Sequence, residues 1–502
     1  MSTQERDLTP LYKILGPKGL TQDAEICRRA GQDWRGVYQG PVLAIAWPST
    51  PQQAAAVVQW AGATQTPLVP QGGNSSLSGG AVPLCEGPPA VVLSSARLRQ
   101  VRALDRDQRV LVAETGLILQ EIQERVAPLE VPVDLGGRGT AQLGGLLACH
   151  AGGLNVVRYG SLRAHVRGLE VVLPNGDIWH GLSQVKKDNS GFDLKSLFIG
   201  SEGTLGFITA VCLQLHPPSA HRLTSLIGLT SPQQALEVFW ALEAVFSGHI
   251  RAAELMPQVG MARALAHKAD LTNPFAVGPL GAGSSGAGSS GARSFSADLP
   301  PYALLLEIDL RAQLQEAETD LALGILTQAG GEVLIAQNEA QARAFWDLRE
   351  CLVLAQGGYG PSLKHDVCVP LPQVPKLLEI GSALAQEHLP GCAPVPFGHL
   401  GDGSFHFNIS CPPGWTAAEL QTKTQAQAQA AHMTQSLHDL VHELGGSISA
   451  EHGLGQARRD EAHRLRDPAA TKAMQAIKQA LDPAGIFNPG KVLNTNSLMN
   501  YE

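Results

Sequence analysis

Residues 69–83 read "VPQGGNSSLSGGAVP". The apolar entry predicts a strand that runs into a loop, and the loop's glycines and hydroxyls set the terms for the rest of the chain. Without Cβ atoms in the way, glycine N–H groups can turn together toward an anion, and such backbone nests bind phosphate. Ser75, Ser76 and Ser78 add hydroxyl donors. A Gly/Ser surface loop has the same composition, so the stretch gains meaning only in company. Two more follow: "DLGGRGTAQLGGLLACHAGGLNVVRYGSL" at 134–162 and "FIGSEGTLGFITA" at 198–210. Both keep apolar residues between close glycines. Three such loops in one half predict backbone that closely lines a large flat ligand.

Around these loops the pattern alternates. "PVLAIAWP" (41–48) and "AVVLSS" (90–95) are strand-like, and "TPQQAAAVVQWAGAT" (50–64) is a capped amphipathic helix. "RVLVAETG" (109–116) and "LGFITAVCLQLHP" (205–217) are further strands. "GLEVVLPNGDIWHG" (168–181) carries an Asn-Gly hairpin signal. From about 219 the texture changes. Helices such as "SPQQALEVFWALEAVF" (231–246) alternate with strands such as "YALLLEIDL" (302–310), which predicts an α+β domain with antiparallel sheet. A long helix over 417–444 and a last one over 468–481 follow. The expected organisation is a helical lead-in (1–38), a first domain (39–218), a second (219–465) and a tail (466–502) that returns to the first.

Within 276–299 the sequence is rich in Gly, Ser and Ala and reads as a flexible surface insertion. "GAGSSG" at 281–286 matches a dinucleotide fingerprint, but no strand precedes it and no helix follows, so linker composition is the better reading.

The totals exclude several classes. The chain has 502 residues, 44% of them apolar, enough for substantial cores. A net charge of −8 offers no global field for nucleic acid, and the partner is expected to be a small molecule. No stretch approaches the roughly 18 apolar residues of a membrane span, and "MSTQERDLTP" lacks a signal-peptide core. The eight cysteines are scattered without C-x-x-C, as expected of reduced thiols in the cytoplasm, with peripheral membrane contact left open.

Two stretches far along the chain hold the remaining chemistry. "GHLGDGSFHF" (398–407) sets His399 and His406 across a turn, and "SAEHGLG" (449–455) puts Glu451 beside His452. Two imidazoles and a carboxylate can form an open three-ligand metal site, although most histidine pairs at this spacing are ordinary. On a strand, His406 and Asn408 share one face and Phe405, Phe407 and Ile409 the other.

Six ordered motifs carry a resemblance: "PQGGNSSLSGGAVP", "AGGLNVVRYGSL", "KDNSGFDLKSLFIGSEGTLG", "GHLGDGSFHFN", "SAEHGLG" and "FNPGK". Over about 40–495 the chain resembles FAD-linked oxidases and dehydrogenases of the vanillyl-alcohol-oxidase type, most of all those acting on D-2-hydroxyglutarate, D-lactate and glycolate. The resemblance implies an α+β fold with a two-lobed FAD-binding domain and a substrate domain of antiparallel sheet covered by helices. It implies FAD contacts from Pro70, Gly72, Gly73, Asn74, Ser75 and Ser78 in the first loop. In the second they come from Gly136, Gly137, Gly144, Gly145, Gly152, Gly153, Tyr159 and Gly160. Glu202, Gly203 and Ile208 follow in the third, and Asn488 in the tail. Asn74 and Ser75 stand where some relatives carry a flavin-linking histidine, so non-covalent FAD is expected. His150 replaces a frequent asparagine and is either a flavin-pocket donor or a packed histidine.

The same resemblance implies a divalent metal, zinc first, with Mn or Fe as alternatives, on His399, His406 and Glu451. Ser404 replaces the asparagine common in that motif. His452 would be the base that takes the alcohol proton, because imidazole titrates near neutrality. Arg349 and Lys364 would grip substrate carboxylate, with Asn408 beside them; Val353 stands one turn on from Arg349, where some relatives carry a hydroxyl. The implied reaction is oxidation of a D-2-hydroxy acid, D-2-hydroxyglutarate first, with D-lactate or glycolate as alternatives. Electrons would pass to an electron-transfer flavoprotein, cytochrome or quinone, and a homodimer is allowed. The rival from another class is a flavin-free metal hydrolase, which would leave the glycine loops without a task.

Overall fold

The computed structural model describes residues 6–276, 299–421 and 425–494. The insertion expected at 276–299 lies outside the described residues except at its two ends. By internal contacts the chain forms two compact units. One comprises Met1–Gly153, Gly160–Pro218 and Glu451–Glu502; the other comprises Leu154–Tyr159 and Ser219–Ala450.

The first unit holds two sheets. The smaller contains the parallel strands Val42–Ala46, Ala90–Ser94 and Leu68–Gln71, in that spatial order, with the short antiparallel Leu20–Thr21 at one edge. The predicted helix spans Pro51–Thr64, and the Thr50 hydroxyl caps it by accepting from the Gln53 N–H at 3.1 Å. It crosses from the first of these strands to Leu68–Gln71 and buries Ala54, Val57, Val58 and Ala61 with Leu68, Val91 and Leu93. Strands packed this way are apolar throughout, which is why they read as short continuous runs. The tail closes on the same core: Phe487 is fully buried and bridges Leu68, and the Asn488 N–H donates to the Leu68 carbonyl at 2.8 Å.

The second sheet is antiparallel, in the order Val101–Asp105, Val110–Glu114, Phe207–Gln214, Val166–Val172 and Ile178–Gly181. The last two form the predicted hairpin. Gly176 in its turn has φ +88°, the left-handed region open to glycine. The expected lead-in contains helices Thr9–Leu15 and Ala24–Ala30, with the edge strand Leu20–Thr21 between them.

The second unit is built on a seven-stranded antiparallel sheet. Its order is Val333–Ile335, His221–Leu229, Tyr302–Leu310, Ile250–Pro257, Ala393–His399, Ser404–Ser410 and Ser362–Cys368. Helices Pro232–Phe246, Gln315–Gln328, Val374–His388 and Gln425–Glu443 form one covering layer. Gln258–His267 and Glu339–Ala355 pack together on the opposite face, where Phe345, Leu348 and Leu352 meet Val395 and Phe397. The long helix expected over 417–444 is described as Ala417–Gln421 and Gln425–Glu443. Among the described residues, no helix is long and apolar enough to cross a membrane.

Candidate active site

In the first unit, the strand Leu68–Gln71 delivers the loop quoted at the outset. The loop runs hard against the second glycine stretch: a Cβ on Gly73 would lie 2.0 Å from the Thr140 carbonyl oxygen, and one on Gly72 would lie 3.3 Å from the Gly145 nitrogen. Gly144 presses on Thr115, and Gly203 in the third stretch presses on Pro70, 2.9 Å from its Cγ. The three stretches therefore meet at close range, the first two through backbone and the third against the Pro70 ring. Gly136 and Gly145 face open space. Gly153, at φ +101°, backs onto the Asp134 carbonyl, and its N–H donates to the Glu451 carboxylate at 3.0 Å.

Several side chains named from the sequence hold the loops together. Asn74 Nδ2 donates to the Gln32 carbonyl at 2.8 Å. The Ser78 hydroxyl reaches the carbonyls of His452 and Gly453 at 3.2 and 2.9 Å, and Ser76 reaches that of His452 at 3.3 Å. Asn488 Nδ2 braces two loops at once, donating to Gly80 at 2.9 Å and to Glu202 at 2.8 Å. Ile208 is buried, and its carbonyl accepts from Thr115. His150 caps the helix Leu143–Cys149 at φ +54°. Histidine and asparagine both tolerate this left-handed region better than most residues, so the position suits either. Its Nδ1 is buried without a partner among the described residues, and burial, then Arg163, lowers its pKa. Tyr159 lies in the second unit instead, with Arg158 and Arg251 over its ring.

The charge-rich run after "SAEHGLG" is only partly a solvated face. Arg458 donates to the Gly453 carbonyl at 3.0 Å and Arg459 to that of Gly490 at 3.0 Å, while Glu461 and Arg464 pair on the surface. Lys491, at the end of "FNPGK", escaped the sequence reading. Its amine is buried with no partner among the described residues, and burial lowers its pKa from 10.5 to about 7. Between those two values the unfolded chain binds the extra proton, so stability rises with pH across that window. Lys491→Met in flavin-free protein is expected to remove this slope and to raise the melting temperature at pH 7 by several degrees, about 2 kcal/mol or more. Melting curves at pH 7 and pH 10 check it; equal slopes in both proteins would refute it.

In the second unit, the predicted alternation holds on Ser404–Ser410. Phe405, Phe407 and Ile409 are fully buried, with Phe407 reaching toward Gly381 of the larger helix layer. His406 and Asn408 take the other face, opposite Asp366 and Lys364 on one neighbouring strand and Phe397 and Val395 on the other. His399 ends its strand beside them, with its ring 6.2 Å from that of His406. Lys364 is half-buried on its strand.

Glu254 organises this face, and the sequence reading missed it. It is fully buried on Ile250–Pro257, paired opposite His399. One carboxylate oxygen binds His399 Nδ1, and the other accepts from Arg349 Nε at 2.7 Å. Arg349 also lies over the Phe397 ring, 5.0 Å from its centroid. Burial would raise the Glu254 pKa, but His399 and Arg349 outweigh it and hold the carboxyl at about 2. Binding Nδ1 fixes the imidazole's tautomer and directs Nε2 outward, the usual support for a metal-ligating histidine. Nε of Arg349 is thus spent on Glu254. The signal was present as a lone glutamate in the apolar run "AAELMP", since a buried carboxylate needs a cationic partner.

A parallel nucleotide-type lobe, an antiparallel lobe and a helix-covered antiparallel sheet define a flavoenzyme fold of the vanillyl-alcohol-oxidase type. Solved structures share it. P-cresol methylhydroxylase with substrate bound superposes with TM-score 0.73 at 16% identity, covering 97% of this chain and 96% of the other. 4-Ethylphenol oxidase from Gulosibacter chungangensis gives 0.73 at 17%, covering 98% and 97%. Family models described as "FAD binding domain" and "FAD linked oxidases, C-terminal domain" match residues 42–181 and 218–492. The chain belongs to the FAD-linked oxidase family and is an FAD-dependent oxidoreductase, which removes the flavin-free hydrolase from consideration. Relatives include the D-2-hydroxyglutarate dehydrogenase of Xanthomonas citri pv. viticola, 33% identical over 93% of this chain and 92% of its own length. The mitochondrial enzyme of that name from Danio rerio is 32% identical over 98% and 86%.

Proposed function

We propose that this protein oxidises a D-2-hydroxy acid, D-2-hydroxyglutarate before D-lactate or glycolate, to the 2-oxo acid. Near-full-length relatives bearing that activity in their names support the substrate. The observation that carries the reading is the Glu254 carboxylate shared between Arg349 and His399. It ties a carboxylate-binding cation to a metal-ligating imidazole on one sheet face.

His399, His406 and Glu451 would hold a divalent ion, zinc or alternatively Mn or Fe. The rings of His399 and His406 lie 6.2 Å apart on neighbouring strands, and the resemblance supplies Glu451 as the third ligand. When bound, FAD supplies the hydride acceptor and the metal a Lewis acid that acidifies the substrate hydroxyl. The protein's own groups do the rest. Arg349 and Lys364 bind carboxylate, Asn408 orients the substrate and His452 takes the hydroxyl proton. The glycine loops hold FAD without a covalent link, and its electrons leave to an electron-transfer flavoprotein, cytochrome or quinone. The setting is the cytoplasm, with peripheral membrane contact and a homodimer both allowed.

Anaerobic mixing with D-2-hydroxyglutarate, D-lactate, glycolate and D-malate tests the reading. D-2-Hydroxyglutarate is expected to bleach the flavin fastest, by about tenfold over the monocarboxylates, since a second carboxylate adds one charge-assisted hydrogen-bonded contact. Equal or slower bleaching than with D-lactate sinks the dicarboxylate assignment.

A further inference from the structure

We infer that Glu202 is a positioning residue for His452: its carboxylate holds the turn 452–455 in shape and ties it to the cofactor loops. This rests on the reading of His452 as the base. The resemblance points Glu202 at the cofactor, and both of its carboxylate oxygens are engaged by the turn. One oxygen accepts from the Leu454 N–H at 2.7 Å and the other from the Gly455 N–H at 2.7 Å. Two consecutive amides on the two oxygens of one carboxyl group form a two-point grip.

The other side of the turn is held as well. The His452 carbonyl accepts from Ser76 and Ser78, and the Gly453 carbonyl accepts from Ser78 and Arg458. Carbonyls of 452 and 453 thus face the first glycine loop, and amides of 454 and 455 face the third. Backbone so anchored on both edges leaves the imidazole between them little freedom, and a base must be held in place to work.

The glycines of "EHGLG" fit this task. A Cβ on Gly453, which has φ +72°, would lie 2.7 Å from the Glu202 carboxyl carbon. One on Gly455, at φ +51°, would lie 2.1 Å from the Ser78 carbonyl oxygen. Both residues are bare so that the turn can close onto its two clamps. Glu202 itself stands at φ +51°, a conformation that costs a glutamate and that glycine adopts freely. It is buried, its N–H donates to Ala148 at 2.8 Å and its carbonyl accepts from Asn488. A buried, strained acid is worth keeping where its carboxylate has work to do.

Two measurements on the flavin-loaded protein separate the outcomes. In Glu202→Ala, hydrogen exchange at the Leu454 and Gly455 amides should accelerate at least about tenfold while FAD stays bound. Flavin reduction by D-2-hydroxyglutarate should fall about 100-fold in limiting rate, the scale of a misplaced catalytic group, with the substrate concentration for half-maximal rate little changed. Glu202→Gln keeps one acceptor oxygen, folds more safely, and should recover part of the rate. Unchanged amide exchange in both variants, or wild-type limiting rates in both, overturns the inference. His452→Ala serves as the control on the underlying reading: wild-type reduction there defeats the base assignment, while the exchange measurement still judges the clamp.

Discussion

His452→Ala is expected to remain yellow and to lose reduction of its flavin by the hydroxy acid. Proton removal by a positioned base is worth about 10²–10⁴ in rate, so the limiting reduction rate should fall by about 100- to 10,000-fold. Binding of FAD should survive, because the turn's contacts to Ser76, Ser78 and Glu202 run through its backbone and not through the imidazole. Anaerobic stopped-flow spectroscopy of the flavin band reads both quantities in one experiment. A variant that bleaches at an unchanged rate would show that another group takes the proton, with Lys364 and Asp366, on the strand paired with His406 and Asn408, the first to examine.

Glu254→Ala is the other large effect. Arg349 and His399 are nearly as buried as the acid between them, and removing that acid leaves a guanidinium with no counter-charge among the described residues. Breaking a buried ion pair from one side typically costs about 3–5 kcal/mol. Its pH signature has a definite sign. The depressed pKa, about 2 against 4.5 in the unfolded chain, contributes stability above 4.5 that is lost as pH falls toward 2. The variant should therefore melt lower at pH 7 and lose part of the wild-type's acid sensitivity. Metal affinity should drop about 10–100-fold, because His399 loses the partner that orients its ring. Thermal unfolding and titration of zinc into chelator-stripped protein test the two arms. Normal melting with normal zinc affinity would remove Glu254 from the site.

Much of the first unit was legible because its signals are local. A threonine before a Pro-led helix caps that helix, an Asn-Gly pair turns a hairpin, and apolar runs between glycines make buried strands. The face assignment on Ser404–Ser410 also follows from alternation alone, and its phenylalanines are buried as that predicts. The reading failed where a residue's role depends on something far along the chain. Glu254 lies 145 residues from His399, and Glu202 lies 252 from Leu454. Arg458 lies in a charge-rich run, and only the fold brings the Gly453 carbonyl to it.

The amino-acid order determined the class of fold and the cofactor, through six motifs shared with FAD-linked oxidases, and it marked the glycine loops and the candidate groups of the site. Glycine spacing and apolar period act over a few residues and need no tertiary partner. Tertiary structure alone decided which of those groups bind each other. Ser78 and Glu202 turned inward onto the His452 turn, and Glu254 joined Arg349 to His399. The reason is desolvation: a buried carboxylate or amide takes whatever donor or acceptor the fold brings within 3 Å, and a local pattern cannot say which one that will be.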